Sequence, residues 1–470
     1  MLNKKKLIVI GIDGGNFEVI NSLFKKGLLK NLKKFKHSAV LTSTIPPGTA
    51  VAWASFSTGN YPGKTRIYDF TIVNEDSWKI SFINRKKLRG KTMWDYLNEN
   101  KIKSCFMNIP LTYPPDKIKG VIISGIDAPS TLNEYTSPPE IKNELKKFNY
   151  EIEVSGINKK EDIVKKAEIV LNKRINAAKF LLKKNFDFFT VLFRESDVAQ
   201  HFAWGKKGVE KIYIKIDNFI GETVKFAEQN KYDLLIISDH GEEKVDKAFN
   251  INAWLEKEGY LETNIKKSSI LSSFGITRER IFKILKKLRI DFLIHMVPRS
   301  LAKKIPAKEV DFEEAILTGV INLKKTMAIG KRAVKTAQIF INTEKRGGIV
   351  KRSEEKKTIN EIKSKLVKYF EEKNIEVIIK TKEELYGKTA LNAPDITLYM
   401  KERGYDALSL FYSGKKIWDN TREKATHNTE GIILTDMNLN LKKVRIVDMM
   451  PTILDYFGIS SKSDGKSVKN

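Results

Sequence analysis

Residues 7–15 read LIVIGIDGG: an apolar run, then Asp13, then two glycines. A run without polar alternation describes a strand buried on both faces, as in a parallel sheet, and Gly14-Gly15 describes a tight turn at its carboxyl end. Three similar runs follow. VIIS at 121–124 ends at Gly125, FFTVLF at 188–193 precedes a polar stretch, and LLIIS at 234–238 precedes Asp239. Between them lie segments of helical period, clearest over 160–182, where apolar residues recur three and four apart. This alternation predicts an α/β fold with a mostly parallel sheet flanked by helices. Working residues in such sheets gather beyond the carboxyl ends of the strands, where Asp13 and Asp239 stand.

Composition narrows the class. At 470 residues the chain accommodates one large α/β domain carrying an insertion, or two to three average domains. Its 41% hydrophobic and 30% charged residues are ordinary for a soluble globular protein with a large core. Against 57 Asp and Glu stand 85 Lys and Arg, a net +28. Such a field favours anionic partners, or else reflects the Lys-rich composition seen in high-temperature proteins. A single cysteine, Cys105, excludes an intrachain disulfide and a thiolate zinc cluster, and predicts a reducing compartment. The apolar run after Lys4, Lys5 and Lys6 is too short for a signal-peptide core, and no stretch reaches the ~18 residues of a spanning helix. The expected location is cytoplasmic.

The texture changes after Tyr260. Residues 266–308 hold twelve Lys or Arg against two acidic residues, and Ile281, Leu285, Leu288 and Phe292 recur at helical spacing among basic residues. This predicts a basic helical insertion (263–315) between a first part of the core (1–262) and a second (316–470). Its basic face is either simply solvated or a contact for an anionic membrane surface or polyanion. Strand character returns at 338–342, 377–380 and 431–434, residues 448–458 read as a closing helix, and the polar 460–470 segment reads as frayed.

The five histidines are His37, His201, His240, His295 and His427. His37, in a Lys-rich turn, and His295, in the insertion, read as structural or exposed. Asp239-His240-Gly241 directly follows a buried strand, so both side chains can reach one cation where Gly241 lets the chain turn. Asp197 and His201, four apart, project from one helical face and either grip a second cation or form a surface ion pair. His427 has no meaning alone. Together, three aspartates and three histidines supply the mixed donors that two borderline cations, Zn²⁺ or Mn²⁺, require. Such a pair clamps the oxygens of a displacement at phosphorus. For a nucleophile, Thr49 precedes a helix-compatible stretch, where free N–H groups favour an anion. Alternatively Thr49 merely caps that helix.

These motifs resemble the type I phosphodiesterase/nucleotide pyrophosphatase family of the alkaline phosphatase superfamily. The likeness runs through GIDGG (11–15), TAVAW and STGNYPG (49–63), SDVAQH (196–201), SDHG (238–241), THNTEG (426–431) and DMMPTIL (448–454). The resemblance implies an alkaline-phosphatase-like sheet and two metals, with Zn expected and Mn an option. Asp13, Asp239, His240 and the Thr49 oxygen would hold one metal, and Asp197, His201 and His427 the other. It further implies attack by the Thr49 alkoxide on a phosphodiester or pyrophosphate and a phosphothreonine intermediate. A phosphomonoesterase or phosphotransferase on the same site is the alternative. The chain departs from the family at Val51, where Pro is common, and at Lys64-Thr65-Arg66, where x-His-Gly is usual; Lys64 and Arg66 are thereby candidate phosphate contacts. Sulfatase chemistry would need a Cys or Ser nucleophile, and Cys105 lies in the wrong segment. The expected partner is a phosphorylated small molecule, with no specific nucleic-acid recognition. A polyanion-binding protein with a relic metal site is the reading of a different class, and the intact ligand set argues against it.

Overall fold

The computed structural model describes residues 5–154, 160–264, 310–388, 390–411, 416–419 and 423–470. Residues 265–309, and with them His295 and most of the expected basic insertion, lie outside the described residues. The described residues form a mixed central sheet of eight strands. At its middle, Asp233–Ile237, Leu7–Ile12, Phe188–Phe193, Ser104–Ile109 and Gly120–Ser124 run parallel. Glu430–Thr435 and His37–Thr42 continue one edge antiparallel, and Thr136–Ser137 closes the other. His37, expected in a turn, begins the outermost strand and is exposed.

Both faces of this sheet are covered, which is why its central strands read as continuous apolar runs. Along Leu7–Ile12 the side chains alternate: Ile8, Ile10 and Ile12 join one core, Leu7 and Val9 the other. The first core is capped by helices Phe17–Lys25, Lys160–Leu182 and Lys207–Asn230, the second by Thr49–Thr58, Met93–Glu99 and Met449–Tyr456. Local chemistry fixes the helix starts. Asn16 accepts the Val19 N–H at 2.9 Å, and Thr92 and Asp95 form a reciprocal capping box. Buried Asp217, inside helix Lys207–Asn230, accepts the N–H groups of Asn31 and Leu32 and so pins the first αβ connection.

A second, antiparallel sheet of four strands, Ala328–Ala333, Thr336–Ile341, Ile396–Met400 and Val377–Thr381, packs with helix Glu355–Lys373 around its own core. It comes from the second half of the chain, which then returns to the central sheet through Glu430–Thr435. The C-terminal segment is ordered, contrary to the frayed end expected. Gly465 N–H bonds Gly59 O at 2.9 Å and Asp464 accepts the Tyr61 N–H at 3.1 Å, so the tail satisfies backbone groups of the loop after the Thr49 helix. Among the described residues no helix is long and apolar enough to cross a membrane.

Candidate metal centre

Three adjacent parallel strands deliver the carboxylates. Asp13 follows Leu7–Ile12, Ser238 and Asp239 follow Asp233–Ile237, and Asp197 sits in the first turn of helix Glu195–Ala203, just beyond Phe188–Phe193. By strand parity Asp13 belongs with Leu7 and Val9, on the face covered by the Thr49 helix. His427 arrives by a different route. Strand Ala425–Asn428 pairs antiparallel with Gly241–Lys244, in a register that sets His427 opposite Glu242. A Cβ on Gly241 would lie 2.3 Å from Glu430 O, so this glycine is required by the close approach of that pair. Residues far apart in sequence thus meet at one buried spot.

Thr49 opens its helix but does not cap it: the N-cap is Gly48. Its buried hydroxyl lies 3.3 Å from Asp13 Oδ1 and 3.2 Å from His240 Nε2. Here too are His240 Nε2 at 3.3 Å from Asp13 Oδ1 and 3.2 Å from Asp239 Oδ2. In the second group, Asp197 Oδ1 lies 3.3 Å from His201 Nε2 and 3.0 Å from His427 Nε2, and the two Nε2 atoms are 3.0 Å apart. The rings of His240 and His427 stack at 3.7 Å, joining the two groups.

The imidazoles are oriented alike. Nδ1 meets a backbone carbonyl in each: Gly241 O at 3.1 Å for His240, Ala425 O at 3.1 Å for His201 and Pro47 O at 2.7 Å for His427. A carbonyl only accepts, so Nδ1–H is assigned as the donor and the Nε2 lone pair turns inward. Two such lone pairs and a carboxylate oxygen in mutual contact repel unless a cation, proton or metal lies among them. Ligands ~2.1 Å from a tetrahedral Zn²⁺ are about 3.4 Å from one another. The Asp197–His201–His427 triangle is of that size.

Charge balance points the same way. Asp13, Asp197, Asp239 and Glu242 are all buried, and among the described residues the guanidinium that meets this group is Arg194, through Asp13 and Asp197. Arg194 Nε lies 3.2 Å from Asp13 Oδ2 and its terminal nitrogens 3.4 Å from Asp197 Oδ2 and 2.9 Å from Glu153 Oε2. Asp13 and Asp197 therefore each turn one oxygen to the histidines and keep the other on the arginine. Burial, then the neighbouring Asp13, push the Asp239 carboxyl well above the usual carboxylate range. Burial opposes charge on His240, but Asp239 and Asp13 outweigh it and hold the imidazole up at about 9. His427 is driven down to about 3 by burial and by His240. Burial also opposes ionisation of Asp197, yet His201 and His427 hold it well below the ordinary value. A cluster so short of positive charge, with nitrogen and oxygen donors aimed inward, fits divalent cations of the Zn²⁺ or Mn²⁺ kind.

All seven residues singled out from the sequence meet here. Asp197 groups with His201 and His427, as the resemblance implies, and also lies within 4.8 Å of ligand atoms of Asp13 and His240. Lys64, by contrast, pairs with Asp464 on an exposed surface. Two residues escaped the sequence reading. Glu242 carried a signal: in an extended segment it shares a side with His240, two residues before. Arg194 carried none, being one arginine among many in a basic chain.

The profile of the family described as Type I phosphodiesterase / nucleotide pyrophosphatase matches residues 7–432. No curated protein sequence matches the chain. Among solved structures, phosphonoacetate hydrolase from Sinorhizobium meliloti 1021 with phosphonoformate superposes with TM-score 0.57 at 14% identity, over 95% of this chain and 94% of that one. Human ectonucleotide pyrophosphatase / phosphodiesterase 5 gives 0.54 at 12%, over 98% and 97%. The murine protein, in an inactive form in complex with AMP, gives 0.53 at 12%, over 98% and 97%. At these identities the likeness is one of fold, and it is alkaline-phosphatase-like. The buried His and Asp groups are consistent with the metal site typical of such proteins. This chain belongs to the type I phosphodiesterase/nucleotide pyrophosphatase family of hydrolases, within the alkaline phosphatase superfamily.

Proposed function

We propose that this protein hydrolyses phosphodiester or pyrophosphate bonds of a small phosphorylated substrate, with Thr49 as nucleophile. The observation that carries this reading is the Thr49 hydroxyl, set at a helix start, released from capping by Gly48, and held beside Asp13 and His240. Asp13, Asp239, His240 and Thr49 would hold one divalent cation and Asp197, His201 and His427 another, probed first as Zn²⁺ and Mn²⁺. Bound there, such cations supply Lewis-acid charge that acidifies the Thr49 hydroxyl and offsets charge on the phosphoryl and leaving oxygens.

The rest is the work of the chain. The first turn of helix Thr49–Thr58 presents backbone N–H groups to the phosphoryl anion. Thr49 Oγ1 gives its proton to solvent and bonds to phosphorus as the bond to the leaving oxygen breaks. That oxygen departs as the alcohol or phosphate after taking a proton from solvent. Water then adds its oxygen to phosphorus, the Oγ1–P bond of the phosphothreonine breaks, and a proton returns to Oγ1 as phosphate product leaves. Arg194 fixes Asp13 and Asp197, and the carbonyls of Gly241, Ala425 and Pro47 fix the histidine tautomers.

The test is an assay of Zn²⁺- and Mn²⁺-loaded protein on a chromogenic diester and the matching monoester, beside Thr49→Ala. Diester cleavage that falls by at least about a thousandfold in the variant is expected. Preference for the monoester would move the substrate class. Unchanged turnover in Thr49→Ala would remove the nucleophile from the scheme.

A further inference from the structure

The segment after Asp239-His240 alternates two glutamates with opposite fates. Glu243 is fully engaged: it pairs with Lys335, accepts the Gly404 N–H at 3.0 Å and lies 3.4 Å from Asn428 Nδ2. Glu242, one residue earlier on the opposite side of the strand, is 1% exposed, and no N–H or hydroxyl donor meets either oxygen; the acid facing it is Asp197. Among the described residues it is the one carboxylate with both oxygens buried and unpartnered. A bare carboxylate at that depth is costly unless a proton or a cation neutralises it.

What faces Glu242 is the second donor group. The register that sets it opposite His427 puts both side chains on one side of the pair. One of its oxygens lies within 4.8 Å of ligand atoms of Asp197, His201 and His427 alike. Behind it the wall has been cleared. A Cβ on Gly14 would fall 2.5 Å from Glu242 Oε1, and Gly14 has φ +65°, a conformation that suits glycine.

We propose that Glu242 is a fourth protein ligand of the cation held by Asp197, His201 and His427. The inference rests on the two-cation reading of the site and adds a donor which that reading does not contain. Asp197, His201 and His427 form a triangle of donors, and a Glu242 oxygen lies within 4.8 Å of each of its corners. The added carboxylate makes this half of the centre richer in oxygen than the three-residue set.

The experiment titrates metal-stripped full-length protein with Zn²⁺ and with Mn²⁺, counting equivalents and affinities by calorimetry, for wild type and Glu242→Gln. Wild type is expected to bind two equivalents. In Glu242→Gln one should weaken by at least about tenfold, the scale on which even outer-sphere changes act. The other equivalent, held at wild-type affinity, serves as the check that the variant is folded. Two equivalents at wild-type affinity in Glu242→Gln would overturn the inference and leave Glu242 sharing a proton with Asp197. A single equivalent in the wild type would instead overturn the two-cation reading beneath it. Glu242→Asp retains the charge but retracts the carboxylate, and wild-type affinity there would also count against direct ligation.

Discussion

Among the described residues Arg194 is the fixed cation that meets this group of buried carboxylates, touching Asp13, Asp197 and Glu153 at once. Removing one partner of a buried charged network leaves the others uncompensated, at a cost of about 3–5 kcal/mol. Arg194→Leu is therefore expected to lose about that much stability in metal-stripped protein, read by urea unfolding. Arg194→Lys should recover only part, because an ammonium cannot fork to three carboxylates. A loss below ~1 kcal/mol for Arg194→Leu would mean that protons already neutralise the cluster. The seven metal-centre candidates were legible only as a set, through the order of their motifs: Asp13 and Asp239 stand at strand ends, but His427, inside strand Ala425–Asn428, meant nothing alone. Arg194 and Glu242 were not legible, since their meaning lies in what they face.

At the scale of elements, the distance from Thr49 to Asp13 is set by how closely helix Thr49–Thr58 lies on strand Leu7–Ile12. Gly11 makes that approach. A Cβ there would come within 2.8 Å of the Trp53 ring and 2.9 Å of Leu192 Cδ1, both fully buried. Gly11→Val should cost about 1–3 kcal/mol as an overpacking substitution. It should also lower turnover, because Trp53 and Thr49 share one short helix and move together. Intact stability with intact turnover would show that the helix has slack. The first glycine of GIDGG is thus a packing device, distinct from the turn at Gly14. Strand existence was plain from the apolar runs at 188–193 and 234–238. The pairing of Ala425–Asn428 with Gly241–Lys244 was not, because nothing local in ATHN specifies its partner.

For the whole molecule, the stretch 266–308 is the part whose role is open to direct trial. Its described flanks are pinned: Thr263 bridges Ile321, Asn264 N–H bonds Val320 O at 2.8 Å, and Val310 bridges Phe411. We propose that this stretch is a separable basic insertion. Replacing 266–308 with a flexible linker should leave the melting temperature within a few degrees, since loop length costs little. Hydrolysis of a small diester should persist while binding to anionic vesicles at low salt falls. Loss of folding would show that the segment completes a core. The small antiparallel sheet belongs to this scale as well. Its strands at 336–341 and 377–381 were readable, but not that they leave the central sheet and build a second one.

The sequence by itself determined the α/β class, the central strands and the identity of seven candidate side chains, because burial on both faces writes itself as unbroken apolar runs and because donors at strand ends are few. Tertiary structure alone decided three things. It took the capping role from Thr49, by giving the N-cap position to Gly48, and set the Thr49 hydroxyl beside Asp13 and His240. It brought Asp197 within reach of Asp13 and His240 as well as of His201 and His427. And it turned Glu242 inward while Glu243 turned to Lys335. The physical reason is common to all three. Which acceptors lie within about 3 Å of one another depends on strand register and packing between distant segments, and those contacts leave no periodic trace along the chain.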